Sequence, residues 1–194
     1  MTDSATIRPD PAALKALTHP DRLRMLGILR IEGPQTSTSL AARLGLNSGA
    51  TSYHLRRLAG AGFIEEAAEL GTGRDRWWRS AHEVTTIDDT APEGSEAAET
   101  MGAYLATVVA RHVEVVMAAQ MRHAGLPVEW RQASTASDGT FWLTAPEADA
   151  LSRRLEGELS RMRAETPPIT GSGAEGQRRF TVQIHAFPHP ADEP

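Results

Sequence analysis

Apolar positions in the first third of the chain recur at helical spacing, in short runs broken by glycine and proline. Leu14 and Leu17 share one face of a short helix that begins at Pro11. Thr18-His19-Pro20 stops it, because a residue before proline is pushed out of helical angles. The next helix starts at that proline, turns Leu23, Met25, Leu26 and Leu29 toward a core and Arg22, Arg24 and Arg30 mostly outward, and ends at Gly33-Pro34. A third helix, over residues 38–44, has Ser and Thr candidates for its N-cap and buries Leu40, Ala41 and Leu44. Gly45 is a natural left-handed stop, with Leu46 plugging the turn. A fourth helix covers 48–59 and ends at Gly60-Ala61-Gly62. Two short helices joined by a glycine turn form a helix-turn-helix pattern.

Beyond it the period changes. Residues 63–66 and 76–79 read as two strands around the glycine-rich tip LGTGRD, a hairpin wing. Residues 83–95 are polar, carry Pro92 and Gly94 and read as a linker, and residues 1–10 read as a loose arm before a domain over 11–82. A long helix follows, over 96–123 within a segment bounded at 96–125, with apolar residues on more than one stripe, the mark of a helix that packs on two partners. Residues 126–194 predict a small ββαβ module. Asp138-Gly139 offers a two-residue turn between EWRQASTAS and TFWLT. Thr144 and Glu147 form a capping box ahead of a helix with the stripe Ala148, Leu151, Leu155, Leu159 and Met162, and residues 178–187 alternate as a strand. The expected fold class is α+β.

Composition narrows the chemistry. None of the 194 residues is a cysteine, so disulfides, thiolate metal sites and thiol catalysis are excluded from this chain. The net charge of −5 hides an asymmetry, +3 over residues 1–82 and −8 over 83–194, which fits a basic face on one module and an acidic remainder. The start, MTDSATIRPDP, shows no signal-peptide pattern, and no stretch approaches 18 uninterrupted apolar residues; a soluble cytoplasmic protein without a membrane partner is expected.

Advancing about 100° per residue along the fourth helix keeps Thr51, Leu55 and Leu58 within roughly 40° of one another, a buried stripe. The opposite face carries Ser48, Gly49, Ser52, Tyr53 and Arg56, with Arg57 at its edge and no acid. Small polar, phenolic and guanidinium groups on one helix face suit base edges and phosphates in the DNA major groove. Arg74, Arg76 and Arg79 of the hairpin suit phosphates or a narrow minor groove.

The runs LKALTHPDRLRMLGILR, LAARLGLNSGATSYHLRRLAGAGFIEE and GRDRWWRS resemble the winged helix-turn-helix transcriptional regulators of the ArsR type, over about residues 12–80. The resemblance implies a homodimer, paired through the long helix, that represses from an inverted-repeat DNA operator and leaves it when a small-molecule effector arrives. The family's cysteine-based metal sensing is ruled out, since Leu40, Ala41 and Ala42 stand on the third helix. A second family site, on the long helix, uses histidines at the spacing of His112 and His123, but Ala110 and Leu126 replace its acidic companions. Metal sensing through these two histidines is therefore the lesser reading.

His54 sits beside the buried stripe, where a hydrogen bond that fixes the fourth helix is expected of it rather than ligation; His19, His82, His185 and His189 show no ligand spacing to one another. Trp130, Trp142 and Phe180 either line an apolar ligand pocket or form the core of the small C-terminal module. No cofactor is called for, and no catalytic motif is present, so enzymatic activity is not expected. The alternative from another class is a winged-helix module that binds an acidic protein partner through its basic face.

Overall fold

A computed structural model describes residues 6–71, 75–87, 90–166 and 173–192. The chain divides into two compact units, residues 1–116 and 117–194.

The first unit packs α1 (Pro11–Leu14), a 3-10 turn over Lys15–Thr18, α2 (Pro20–Glu32), α3 (Ser37–Leu44) and α4 (Ser48–Gly60) around one apolar cluster. Leu14, Leu17, Met25, Leu26, Leu29, Leu40, Leu55, Leu58 and Phe63 are buried there. The helix starts follow capping rules. Asp10 accepts from the Ala13 N–H, His19 from the Asp21 N–H, and Thr36 and Ser39 form a reciprocal box at α3. Gly45 takes the left-handed conformation (φ +67°) expected of a helix stop, and the Leu46 N–H donates back to the Ala41 carbonyl.

A three-stranded antiparallel sheet closes this unit. Strand β3 (Ile64–Glu66) pairs with β4 (Trp77–Ser80), and β4 also pairs with β2 (Gln35–Thr36). A second, parallel pair joins β1 (Thr6–Ile7) to β5 (Val84–Thr85), with Thr6 opposite Val84 and Ile7 opposite Thr85. This corrects two expectations. Residues 6 and 7 are not a loose arm, and the segment after residue 83 begins as a strand, with Ile7 and Ile87 packed against the core.

All three arginines of α2 bind within the unit instead of merely facing outward. Arg22 donates to the Ala16 and Lys15 carbonyls, Arg30 to the His82 carbonyl and the Thr85 hydroxyl, both at 2.9 Å, and Arg24 to both Glu114 oxygens at 2.8 and 2.9 Å. The carbonyls at the end of the 3-10 turn and beside β5 attract these guanidinium groups.

Glu114 belongs to α5 (Glu96–His123), which adds Thr100, Met101 and Tyr104 to the buried set. The Thr107 hydroxyl also donates to the Thr18 carbonyl at 3.1 Å. Leu105, Val109, Val113 and Val116 remain exposed and fall on one face of α5. By length and composition α5 is the one helix among the described residues that could cross a membrane, although no uninterrupted apolar run was seen in the sequence. Its Glu114, held by Arg24 of α2 and Arg111, argues for a packing role, since charges at mid-bilayer are costly.

Arg24, and then Arg111, hold the Glu114 carboxyl below its ordinary pKa. A carboxylate lowered on folding contributes stability that is present above its unfolded pKa of about 4.3 and lost as the pH falls through the folded value. Because the pair is partly exposed, Glu114→Gln is expected to lower the unfolding free energy at pH 7 by no more than about 1 kcal/mol, measured by thermal unfolding. The gap between the two proteins should close as the pH falls through the folded value, and a gap that persists below it would show that the pair's charge is not its source.

The second unit holds α6 (Val128–Ala133) and α7 (Ala145–Glu165). The Thr144/Glu147 capping box is present, Glu147 accepting from the Thr144 N–H at 2.8 Å and from its hydroxyl at 2.7 Å. These bonds hold the Glu147 carboxyl below its ordinary pKa. The ββαβ module is not formed. Residues 128–133 are helical, and residues 134–144 and 177–189 carry no strand. Alternation alone does not make a strand without a partner to complete its hydrogen bonds. Local bonds also compete, from the Ser134 hydroxyl to the Trp130 carbonyl and between Thr135 and Ser137. Among its described residues none is buried.

Candidate nucleic-acid interface

Helix α4 is set from both ends. Asn47 caps its start by accepting from the Ala50 N–H at 2.8 Å, and after it the chain turns through Gly62 (φ +78°), where the Phe63 N–H donates to the Leu58 carbonyl. Thr51, Leu55 and Leu58 have no exposed surface, as the periodicity requires, and the Thr51 hydroxyl is satisfied by the Asn47 carbonyl at 3.0 Å. Burial of that stripe leaves Ser48, Gly49, Tyr53, Arg56 and Arg57 exposed.

Ser52 is only half-buried, and its hydroxyl shares a 2.9 Å hydrogen bond with Ser37 at the start of α3. It braces the two helices of the motif as it stands and is less free to meet a base than Tyr53. Arg22 lies close enough to Arg57 to feel its charge. Burial, and then Arg57, lower the Arg22 pKa.

The hairpin contributes less than its arginine count suggests. Arg76 is well exposed and only 4.0 Å from Glu66, a loose pair. Arg79, expected to reach phosphate, instead donates to Glu65 at 2.7 Å and to Glu69, and its charge is committed to them. Arg74 lies outside the described residues.

The other candidate residues lie outside this face. His112 and His123 lie on the same helix, in different units. Trp142 is 93% exposed and Phe180 is exposed, while Trp130 is half-buried beneath the Arg178 guanidinium, 5.7 Å from its ring. These three neither enclose a pocket nor form a core.

A cluster that the spacing of histidines did not suggest lies where α4 meets α2. His54 is buried, its ring centroid 4.5 Å from that of His19 and 5.6 Å from that of Tyr53. Its Nδ1 has no hydrogen-bond partner, contrary to the bond expected to fix α4. Burial, followed by His19 and Arg22, lowers the His54 pKa against the pull of Asp21, so the ring is neutral at pH 7.

A family model described as a helix-turn-helix domain matches residues 17–67, from the 3-10 turn to the end of β3. No curated protein matches the chain. The matched segment contains α3, the Gly45 turn and α4 with its acid-free face. The chain therefore carries a helix-turn-helix DNA-binding domain, the module of DNA-binding transcription regulators.

Proposed function

We propose that the protein is a dimeric winged-helix transcriptional repressor in which α4 enters the major groove and the β3–β4 hairpin acts as the wing. The observation that carries this reading is the exposed basic face of α4, whose Arg56 and Arg57 form no ion pair among the described residues, set on a fully buried stripe. Tyr53 and Arg56 read bases, Ser48 and the Gly49 backbone approach the phosphates at the helix start, Ser52 braces α3, and Arg57 and Arg76 bind phosphate.

Dimerisation is supported by the stripe Leu105, Val109, Val113 and Val116, which lies on one face of α5 and stays exposed. Two α4 helices held through paired α5 helices would meet half-sites one helical turn apart on an inverted repeat. Release by a small ligand and the ArsR type belong to the same proposal and rest on the sequence resemblance.

The test is duplex-DNA binding by Arg56→Ala and Arg76→Ala at two salt concentrations. Arg56→Ala is expected to cost about 1–3 kcal/mol on the selected operator and to relax its sequence preference. Arg76→Ala should weaken all sequences alike and reduce the salt slope by about one unit. Unchanged affinity in both variants would remove the assignment. Salt-dependent selection of one inverted repeat would distinguish DNA from an acidic protein partner.

A further inference from the structure

We propose that His19, Asp21 and His54 form a binding site for a divalent transition-metal ion that fastens α4 to the N-terminus of α2. One ligand atom from each residue lies within 4.8 Å of the other two. Imidazole and carboxylate bond zinc at about 2.0–2.2 Å, so tetrahedral donors stand about 3.4 Å apart. The widest pair here must therefore close by up to about 1.4 Å. The partly exposed side chains of His19 and Asp21 can make that movement.

A second observation points to a ligand. His54 is 8% exposed, and its Nδ1 is buried without a partner, a state that proteins rarely leave uncompensated. An ion bound through the Nδ1 of His54 would satisfy it.

The chemistry of the set is coherent. Two neutral imidazoles and one carboxylate match the nitrogen and oxygen preferences of zinc, nickel or cobalt, and three protein ligands leave a position for water.

His19 must give up a bond to join. Its Nδ1 accepts from the Asp21 N–H at 3.2 Å, which places the ring proton on Nε2. Ligation through either nitrogen then exchanges that helix cap for the ion. Binding would couple the start of α2 to the helix that carries Tyr53 and Arg56. This site is separate from His112 and His123, and it does not depend on the DNA reading.

The experiment is titration of the full chain with Co2+, followed by the visible absorption of the bound ion and by displacement with Zn2+. One equivalent per chain is expected. His19→Gln and Asp21→Asn should each weaken binding by at least about tenfold, the smallest effect usual when even an outer-shell partner of a metal is removed. His54→Gln should abolish it, and circular dichroism of each variant separates loss of the ligand from loss of the fold.

His112→Gln and His123→Gln should leave binding unchanged. The proposal fails if the chain takes up no Co2+, or if these two substitutions abolish uptake while His19→Gln and Asp21→Asn do not. DNA binding by the metal-free chain, measured in parallel, keeps failure of the repressor reading distinct from failure of this one.

Discussion

Leu55→Ala is expected to destabilise the protein by roughly 2–5 kcal/mol, a large share of the 5–15 kcal/mol typical of a folded domain. Leu55 has no exposed surface and belongs to the cluster that includes Met25, Leu26 and Phe63, so truncation leaves a cavity that rigid helices on every side cannot fill. Tyr53→Ala, two positions away on the exposed face, should change stability by only about 0.5 kcal/mol. Urea unfolding of the two variants checks the difference. An equal effect would mean that α4 is not seated on the stripe described. The pair also separates two ways of losing DNA binding, since Leu55→Ala acts by unfolding and Tyr53→Ala by removing a contact.

The second large effect concerns the proposed pairing of two chains. Val109→Glu combined with Val113→Glu places two carboxylates on the uncovered face of α5, where a paired helix would have to bury them without partners. Sedimentation is expected to show a monomer, and affinity for the inverted repeat should fall by at least about 100-fold, because each half-site then binds alone. The isolated chain should keep its helical content, because neither valine is buried within it. A doubly substituted protein that still sediments as a dimer would rule out pairing through this face.

The parts of the fold that obey local rules were legible before the structure. The buried stripe of α4, the Gly45 stop and the Thr144 capping box each depend on residues within one or two turns of one another. What depends on distant chain was not. Strands β1 and β5 are two residues each, too short to show a period; Arg30 holds the β5 end through His82 and Thr85, and Ile7 seats the β1 end against the core. The arginines of α2 read as solvent-facing because they are charged, yet each finds a carbonyl, hydroxyl or carboxylate supplied by another segment.

The candidate interface divides in the same way. The exposed face of α4 followed from helical geometry. The neutralisation of Arg79 did not, since Glu65 sits opposite it across the β3–β4 ladder and Glu69 lies ten residues before it. His19 and His54 are 35 positions apart, so no spacing rule could join them; only the crossing of α4 with the start of α2 does. In the C-terminal unit, alternation at residues 178–187 pointed to a strand that no neighbour completes.

The β1–β5 pair bears on how the protein can be handled. Trimming the chain back to Pro11, a natural choice if its start were slack, would strip Val84 and Thr85 of their backbone partner and take Ile7 away from the core it packs against. Such a truncated product would expose a raw edge inviting adhesion between molecules, whereas an affinity tag appended ahead of Thr6 leaves that edge sealed.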